Sequence, residues 1–193
     1  MKNTLLVLFY LLSISLIPAC NLLTPRTPEP PFTDTPSFLQ PDTPERVIEN
    51  MKTAISSMAT QHYIRSLHED LIYEPTLSAQ SRNPSLWKNW TRAEEQTYFT
   101  RMEASARPFS GHQLLLSQTN LTLLSTDRVQ FTATYSLTIY HARQDEGIPQ
   151  EYAGDLVWYL VRSENGLWSI QHWIDRSHPN TPAWSDLKAA FIR

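Results

Sequence analysis

One segment of the chain, residues 128–141, alternates strictly between two kinds of side chain. Polar residues, mostly Gln, Thr and Ser, separate an apolar set at every second position: Val129, Phe131, Ala133, Tyr135, Leu137 and Ile139. A period of two with branched and aromatic residues on one side predicts a long, half-buried antiparallel strand. Such a strand needs neighbours on both edges, so the sequence predicts a sheet with this segment inside it.

Other apolar runs predict further strands at residues 114–124, 152–162 and 167–175. The last of these has an irregular pattern, because Trp168 and Ile170 share one face of a regular strand whereas Trp173 falls on the other. Either both faces of this strand are covered, or a β-bulge near Gln171 shifts its register.

Helices are predicted before and after these strands. Thr43 followed by proline is a helix start, Thr91 begins a capping box, and apolar spacing also predicts helices at residues 61–70 and 183–191. Residues 76–89 are expected to form an ordered loop. Helices followed by antiparallel strands predict an α+β domain, with helices on one face of a sheet of about four to six strands.

The amino terminus has the pattern of an export signal. Residues 1–19 combine one positive charge at Lys2, an apolar core and small residues near the end, which predicts a cleaved signal peptide. Cys20 is the only cysteine, and residues 16–20 resemble the lipobox of bacterial lipoproteins. The resemblance implies cleavage after Ala19 and lipidation of Cys20, so we expect a protein anchored in a membrane of the bacterial cell envelope.

The segment after Cys20 is rich in proline and polar residues. Its prolines favour an extended chain without a core, so residues 20–42 are predicted to be the lipidated Cys20 and a tether. Residues 43–193 are then expected to form a single domain.

Composition and spacing exclude several functions. The net charge is −3 and charged residues make up 18% of the chain, so we expect no nucleic-acid partner. His62 and His68 are six positions apart and do not match a helical metal site, so no metal is predicted. The chain has 4 glycines and neither a P-loop nor a dinucleotide motif, so no cofactor is predicted.

The order of elements resembles the nuclear transport factor 2-like (NTF2-like) superfamily, also called cystatin-like or polyketide-cyclase-like. The motifs that carry the resemblance are Thr43-Pro44-Glu45, Leu71-Ile72-Tyr73-Glu74-Pro75 and Trp168-x-Ile170-x-x-Trp173-x-Asp175. More narrowly, the layout and the tail Trp184-x-x-Leu187-Lys188 resemble uncharacterised bacterial lipoproteins with this fold. The resemblance implies a curved sheet that wraps over helices to form a cone with a pocket, and it covers both enzymes and non-enzymatic binding proteins.

The aromatic content, 11%, favours a binding role. Tyr135, Trp158, Trp168 and Trp173 are candidates to line a pocket for a small apolar ligand. We expect the domain to bind such a ligand or an envelope protein. A homodimer that forms through the sheet is a further expected partner.

The alternative is a cone-pocket enzyme of the isomerase, dehydratase or hydrolase type. Asp175 or Asp155 would act as its general base, with Tyr135 as a hydrogen-bond donor. A third hypothesis is an assembly module whose sheet face is the docking surface.

Overall fold

The computed structural model describes residues 37–108 and 110–193, and within them five strands form one curved sheet. The strands are β1 (Leu67–Glu74), β2 (Gln113–Ser125), β3 (Arg128–Thr138), β4 (Glu151–Arg162) and β5 (Trp168–Ser177), arranged in the order β1-β5-β4-β3-β2. Neighbouring strands are antiparallel except β1, which pairs parallel with β5 at one edge. The predicted signal peptide, Cys20 and most of the predicted tether lie outside the described residues.

The long alternating segment is a strand inside the sheet, β3, as predicted. Its apolar residues point to the inner face and are buried, and its polar residues lie on the outer face. β3 ends at Thr138, earlier than the pattern indicates, because the next residues bond elsewhere: the Ile139 amide donates to the Gln150 carbonyl, and His141 forms an isolated bridge with Ala106.

A β-bulge at Gln171 accounts for the irregular pattern of β5. Tyr159 pairs with His172, but the next residue, Leu160, pairs with Ile170, so Gln171 has no partner on β4. The extra residue brings Trp168 and Trp173 to the same inner face. The second of the two interpretations of the sequence is therefore correct, and the bulge also bends the strand.

The helices pack on the inner face of the sheet. They are α1 (Pro44–Ser57), α2 (Thr60–Arg65), α3 (Leu77–Arg82), α4 (Pro84–Trp87), α5 (Arg92–Ser105) and α6 (Trp184–Phe191). Thr43 caps α1 and Thr91 completes a capping box on α5, as the sequence predicts. The α+β class, the strand number and the short C-terminal helix are thus confirmed.

Two local predictions are wrong. The second helix ends at Arg65 instead of Asp70, and residues 67–74 form β1, because this segment pairs in parallel with β5. Residues 76–89 contain the short helices α3 and α4 instead of a loop. The indole N–H of Trp87 donates to the Ala79 carbonyl at 3.0 Å and holds these helices together.

The end of the predicted tether contacts the domain. The amide of Asn50 on α1 bonds both the N–H and the C=O of Leu39, and the Trp168 N–H donates to the Pro41 carbonyl at 2.7 Å. The Arg65 guanidinium lies 4.0 Å from the centre of the Phe38 ring. None of the helices in residues 37–108 and 110–193 is long and apolar enough to cross a membrane.

Candidate functional site

The carboxylate of Asp175 lies on the inner face of β5 and is only 2% exposed. Its Oδ1 accepts a hydrogen bond from the Tyr135 hydroxyl at 2.8 Å. Its Oδ2 accepts from both the N–H and the hydroxyl of Ser185, with the N–H at 2.7 Å. The sequence-predicted pair of Asp175 and Tyr135 therefore does come together, and protein donors occupy both carboxylate oxygens.

Asp175 and Tyr135 also hold the first turn of α6. The Tyr135 hydroxyl accepts from the Trp184 N–H at 2.8 Å, and the next N–H, that of Ser185, goes to Asp175. The first N–H groups of a helix have no partner within the helix, and the helix dipole favours a negative group beside them. The arrangement is that of a buried cap that ties α6 to the sheet.

Burial sets the acid–base character of this pair. It raises the pKa of Asp175 above its ordinary value, although the hydrogen bonds from Ser185 and Tyr135 act in the opposite direction. Burial also raises the pKa of Tyr135, and the nearby Asp175 adds to that effect. Tyr135 is therefore a phenol that donates its proton in a fixed hydrogen bond.

Gly154 makes the close approach of Tyr135 to Asp175 possible. It pairs with Tyr135 across β3 and β4. A Cβ at this position would lie 2.2 Å from the Arg176 carbonyl oxygen and 2.8 Å from the Tyr135 hydroxyl, so no side chain fits without a backbone shift.

A second buried polar cluster links α5 to α6. Glu95 and Lys188 are both fully buried and form an ion pair. The two Glu95 oxygens also accept from the Trp90 indole N–H and from the Tyr63 hydroxyl, each at 2.6 Å.

Aromatic rings enclose the Lys188 ammonium. Its Nζ lies 3.5 Å from the centre of the Tyr73 ring and 3.8 Å from that of Trp173, distances typical of cation–π contacts. Burial lowers the pKa of Lys188 to about 8, although Glu95 acts in the opposite direction.

Our sequence reasoning did not identify Glu95 or Lys188 as site residues, but a signal for them exists. Each occupies a position of an apolar helical stripe: Glu95 precedes Tyr98, Phe99 and Met102, and Lys188 follows Trp184 and Leu187 and precedes Phe191. A charge inside each of two apolar stripes indicates a buried ion pair.

Three of the four pocket candidates pack against other protein side chains. Trp158 and Trp173 meet edge to face at 5.3 Å between ring centres, and Trp184 of α6 contacts Trp173 at 4.6 Å and Tyr135 at 5.5 Å. The fourth candidate, Trp168, lines a separate groove of about 400 Å³ together with Phe38 and Arg65. α6 thus occupies the part of the cone where Tyr135, Trp158 and Trp173 were expected to line a ligand pocket.

Asp155 lies on the outer face of the sheet, away from Asp175 and Tyr135. Its carboxylate accepts from the Thr134 hydroxyl at 2.7 Å and pairs with His178 at 3.1 Å. Partial burial acts to raise the pKa of Asp155, but the contacts with Thr134 and His178 outweigh it and lower the pKa. In the described residues, no three His, Cys, Asp or Glu side chains are grouped as metal ligands would be.

The edge strand β2 differs from this interior. Leu121 is 38% exposed and Leu123 is 68% exposed. Leu121 also borders a groove of about 430 Å³ between β2 and α1. Glu45, Ile48, Glu49 and Lys52 of α1 line this groove too, and Lys52 pairs with Glu49 at 3.2 Å.

Comparison with known proteins supports the fold assignment. Neither a protein-family model nor a curated protein sequence matches the chain. A candidate aromatic ring hydroxylase from Novosphingobium aromaticivorans superposes with a TM-score of 0.56 at 13% identity, over 75% of this chain and 92% of that one.

Two other crystal structures are similar to about the same degree. A candidate scytalone dehydratase from Novosphingobium aromaticivorans gives a TM-score of 0.54 at 11% identity, over 72% of this chain and 88% of that one. A ketosteroid isomerase-like protein from Erwinia carotovora atroseptica gives 0.50 at 12% identity, over 68% and 91%. The fold is therefore NTF2-like, and identities this low establish the fold alone.

Proposed function

We propose that the protein is a lipid-anchored, non-catalytic binding module of the bacterial cell envelope, which recognises a protein partner through the exposed part of its sheet. The observation that carries the proposal is the position of α6 inside the cone. Trp184 fills the space beside Tyr135 and Trp173, and Ser185 occupies the carboxylate of Asp175. A substrate or apolar ligand would have to displace this helix before it could contact Tyr135 or Asp175.

The anchor rests on the lipobox-like sequence that ends in Cys20. Its test is metabolic labelling of the full chain in a bacterial host with an alkyne-bearing fatty acid. We expect label on the wild-type protein in the membrane fraction and none on Cys20→Ala. Equal labelling of the two proteins, or none on the wild type, would contradict the anchor.

The preference for a protein partner over a small ligand is tested by measuring the melting temperature of the wild-type domain with small planar apolar compounds. Suitable compounds are indole, naphthalene and a steroid ketone. Because α6 fills the cone, we expect no rise in melting temperature with any of them. A stoichiometric rise that disappears in Tyr135→Phe would overturn the proposal in favour of a ligand-binding cone.

The cone-pocket enzyme remains a second candidate because of one observation. Asp175 is a buried carboxyl with a raised pKa, and it faces a phenol donor, Tyr135, at 2.8 Å. This combination is typical of general-base sites in clefts. Turnover of a ketone or epoxide substrate that Asp175→Asn abolishes, while its melting temperature stays near that of the wild type, would favour this candidate.

A further inference from the structure

A groove at the β1 edge of the sheet combines aromatic side chains with two arginines. It has a volume of about 400 Å³ and lies where the start of β1, the start of β5 and the last part of the tether meet. Its charged and aromatic lining consists of Phe38, Arg65, His68, Glu69, Arg92 and Trp168. This volume is at the lower end of the range for ligand sites, so the groove fits a short segment of a partner.

The protein fixes the Arg92 guanidinium through backbone carbonyls. Its Nε donates to the Leu67 carbonyl at 3.2 Å, and its Nη2 donates to the Ile64 carbonyl at 2.9 Å. Within the described residues, no hydrogen bond occupies its third nitrogen, Nη1. A half-buried guanidinium held in this way can bind an anion with little further loss of side-chain freedom.

Arg65 is the second cation of the groove. It is exposed, and its guanidinium lies 4.0 Å from the centre of the Phe38 ring. Arginine can stack on a ring and keep its N–H donors for other partners. In residues 37–108 and 110–193, neither Arg65 nor Arg92 forms an ion pair with a carboxylate.

The charge balance of the groove matches a single negative charge. Among the described residues, Glu69 is the only carboxylate in the lining, so the two arginines leave one net positive charge. His68 adds none, because its Nδ1 accepts the Asp70 N–H at 3.1 Å and is therefore the unprotonated nitrogen of a neutral ring. The Nε2–H of this ring is a further donor.

We propose that this groove binds a short segment of the protein partner in which an apolar side chain stands next to a carboxylate. The inference rests on the proposed function and names the chemistry that the partner offers. The carboxylate pairs with Arg65 and Arg92, and the apolar side chain packs against Phe38 and Trp168. Charge-assisted bonds from arginine to a carboxylate are among the strongest hydrogen bonds in proteins.

The backbone of β1 favours a peptide over a free acid. Its pairing with β5 is irregular between Leu67 and Ile72, and Glu69 has no partner on β5. In the part of the chain that the structure describes, β1 also has no strand on its other side. The backbone groups of Glu69 are therefore available to a second backbone, which a free acid lacks.

Calorimetric titration of the full chain in detergent tests the charge contact. The probes are short peptides, blocked at both ends, with Phe-Asp, Trp-Asp or Leu-Asp at the centre, and matched peptides with Asn in place of Asp. We expect the acidic peptides to bind at least about tenfold more tightly than the matched peptides. Equal binding of the acidic and the matched peptides, or no binding of any acidic peptide, would overturn the proposal.

Variants of the groove locate the contact. Arg65→Gln should weaken binding of the Phe-Asp peptide at least about tenfold. Arg176→Gln is the matched control and should not weaken it, because Arg176 is an exposed arginine outside the groove. Glu69→Gln should strengthen binding about threefold, because it raises the net positive charge of the lining. Unchanged affinity of Arg65→Gln, or weaker binding by Glu69→Gln, would overturn the proposal.

Other occupants of the groove are outcomes of the same titration. Phenylpropionate represents a free aromatic acid, and glycerophosphate represents an anionic lipid headgroup. Tighter binding of either compound than of every acidic peptide would overturn the proposal.

Cross-linking in cells separates this proposal from the proposed function. A photo-cross-linker at Ser169 in the groove should capture an envelope protein. One at Leu123 that captures an envelope protein, while one at Ser169 captures nothing or only its own chain, would overturn the groove as the site and leave the proposed function intact.

Discussion

The interior of the cone contains charged side chains, whereas the free edge of the sheet contains exposed apolar ones. This is the reverse of the usual distribution. The interior buries Glu95, Lys188 and Asp175, and supplies each with hydrogen-bond or ion-pair partners. The edge strand β2 exposes Leu121 and Leu123 and has no charge at all. Buried charges are costly unless they are paired, and exposed leucines on a free edge invite association.

The two regions differ in how far the protein satisfies its own polar and apolar groups. In the interior, the Asp175 carboxylate bonds to α6 and the pair of Glu95 and Lys188 joins α5 to α6, so these residues hold the helices in place. The indole N–H groups of Trp158 and Trp173 are buried without a hydrogen-bond partner. At the edge, backbone and apolar groups have no such partner among the described residues. A polar cluster in a cone is thus better judged by how many of its hydrogen bonds the protein itself satisfies than by the identity of its residues.

The largest expected effect comes from removing the side chain that fills the cone. Trp184→Ala should lower the free energy of unfolding by about 4 kcal/mol, because a buried indole leaves a cavity. Indole should then raise the melting temperature of Trp184→Ala and leave the wild type unchanged. Denaturant unfolding and a thermal shift assay measure the two effects, and an equal response of both proteins to indole would contradict a filled cone.

The buried ion pair gives the next largest effect. Lys188→Met leaves Glu95 buried without its cation and should cost about 3 kcal/mol, whereas Glu95→Gln with Lys188→Met should recover much of that loss. The exposed pair of Arg143 and Glu146 is the matched control, and its double-mutant cycle should give about 0.5 kcal/mol. Additive effects of the two interior substitutions would show that the pair is not coupled.

The same pair predicts a pH dependence of stability. The pKa of Lys188 is about 8 in the folded protein, below its ordinary value of 10.5, so the unfolded chain binds more protons between these values. The free energy of unfolding should therefore rise from pH 8 to 9.5, by on the order of 2 kcal/mol. Lys188→Met should lack this rise, and an identical pH profile for the two proteins would contradict burial of the ammonium.

Gly154→Ala tests the close contact behind the Asp175 cap. The new Cβ would collide with the Arg176 carbonyl and the Tyr135 hydroxyl, so we expect a loss of about 2 kcal/mol. Gly147→Ala is a control outside the sheet, where nothing lies within 4 Å of the added Cβ and only the positive φ of 74° adds strain. A smaller loss for Gly154→Ala than for this control would argue against the tight packing of Tyr135.

The smallest stability effect is expected at the edge. Leu123→Lys should change the free energy of unfolding of the monomer by less than about 0.5 kcal/mol, because the side chain is already mostly exposed. This variant should change association and little else, unlike the interior substitutions. Denaturant unfolding of the two proteins measures this change, and a loss of several kcal/mol would mean that Leu123 belongs to the core.

The sequence predicted the sheet well because its signals are local. The alternation in β3, the caps at Thr43 and Thr91, and the broken pattern that indicated the bulge at Gln171 all follow from side-chain periodicity. The error over residues 61–70 has a physical cause. Tyr63, Ile64 and Leu67 have helical spacing in the sequence, but Leu67 pairs with Ile170 of β5, and this long-range pairing overrides the local pattern.

The candidate site was only partly predictable. Asp175 and Tyr135 were identified from the inner-face pattern and the resemblance, but nothing local in the sequence indicates that Ser185 and Trp184 would bond to them. These contacts join residues far apart in the chain, such as Tyr135 and Trp184. The filling of the cone by α6 is therefore a property of tertiary packing.

The central claim is that the interior of this domain is filled by its own chain and that its edge meets a protein partner. Native mass spectrometry of the full chain, released gently from the membranes of its source, tests both parts at once. We predict an acylated chain associated with a protein partner, with no small molecule that is released on unfolding. A chain without a protein partner that carries one bound apolar compound, and loses it when the domain unfolds, would contradict both parts.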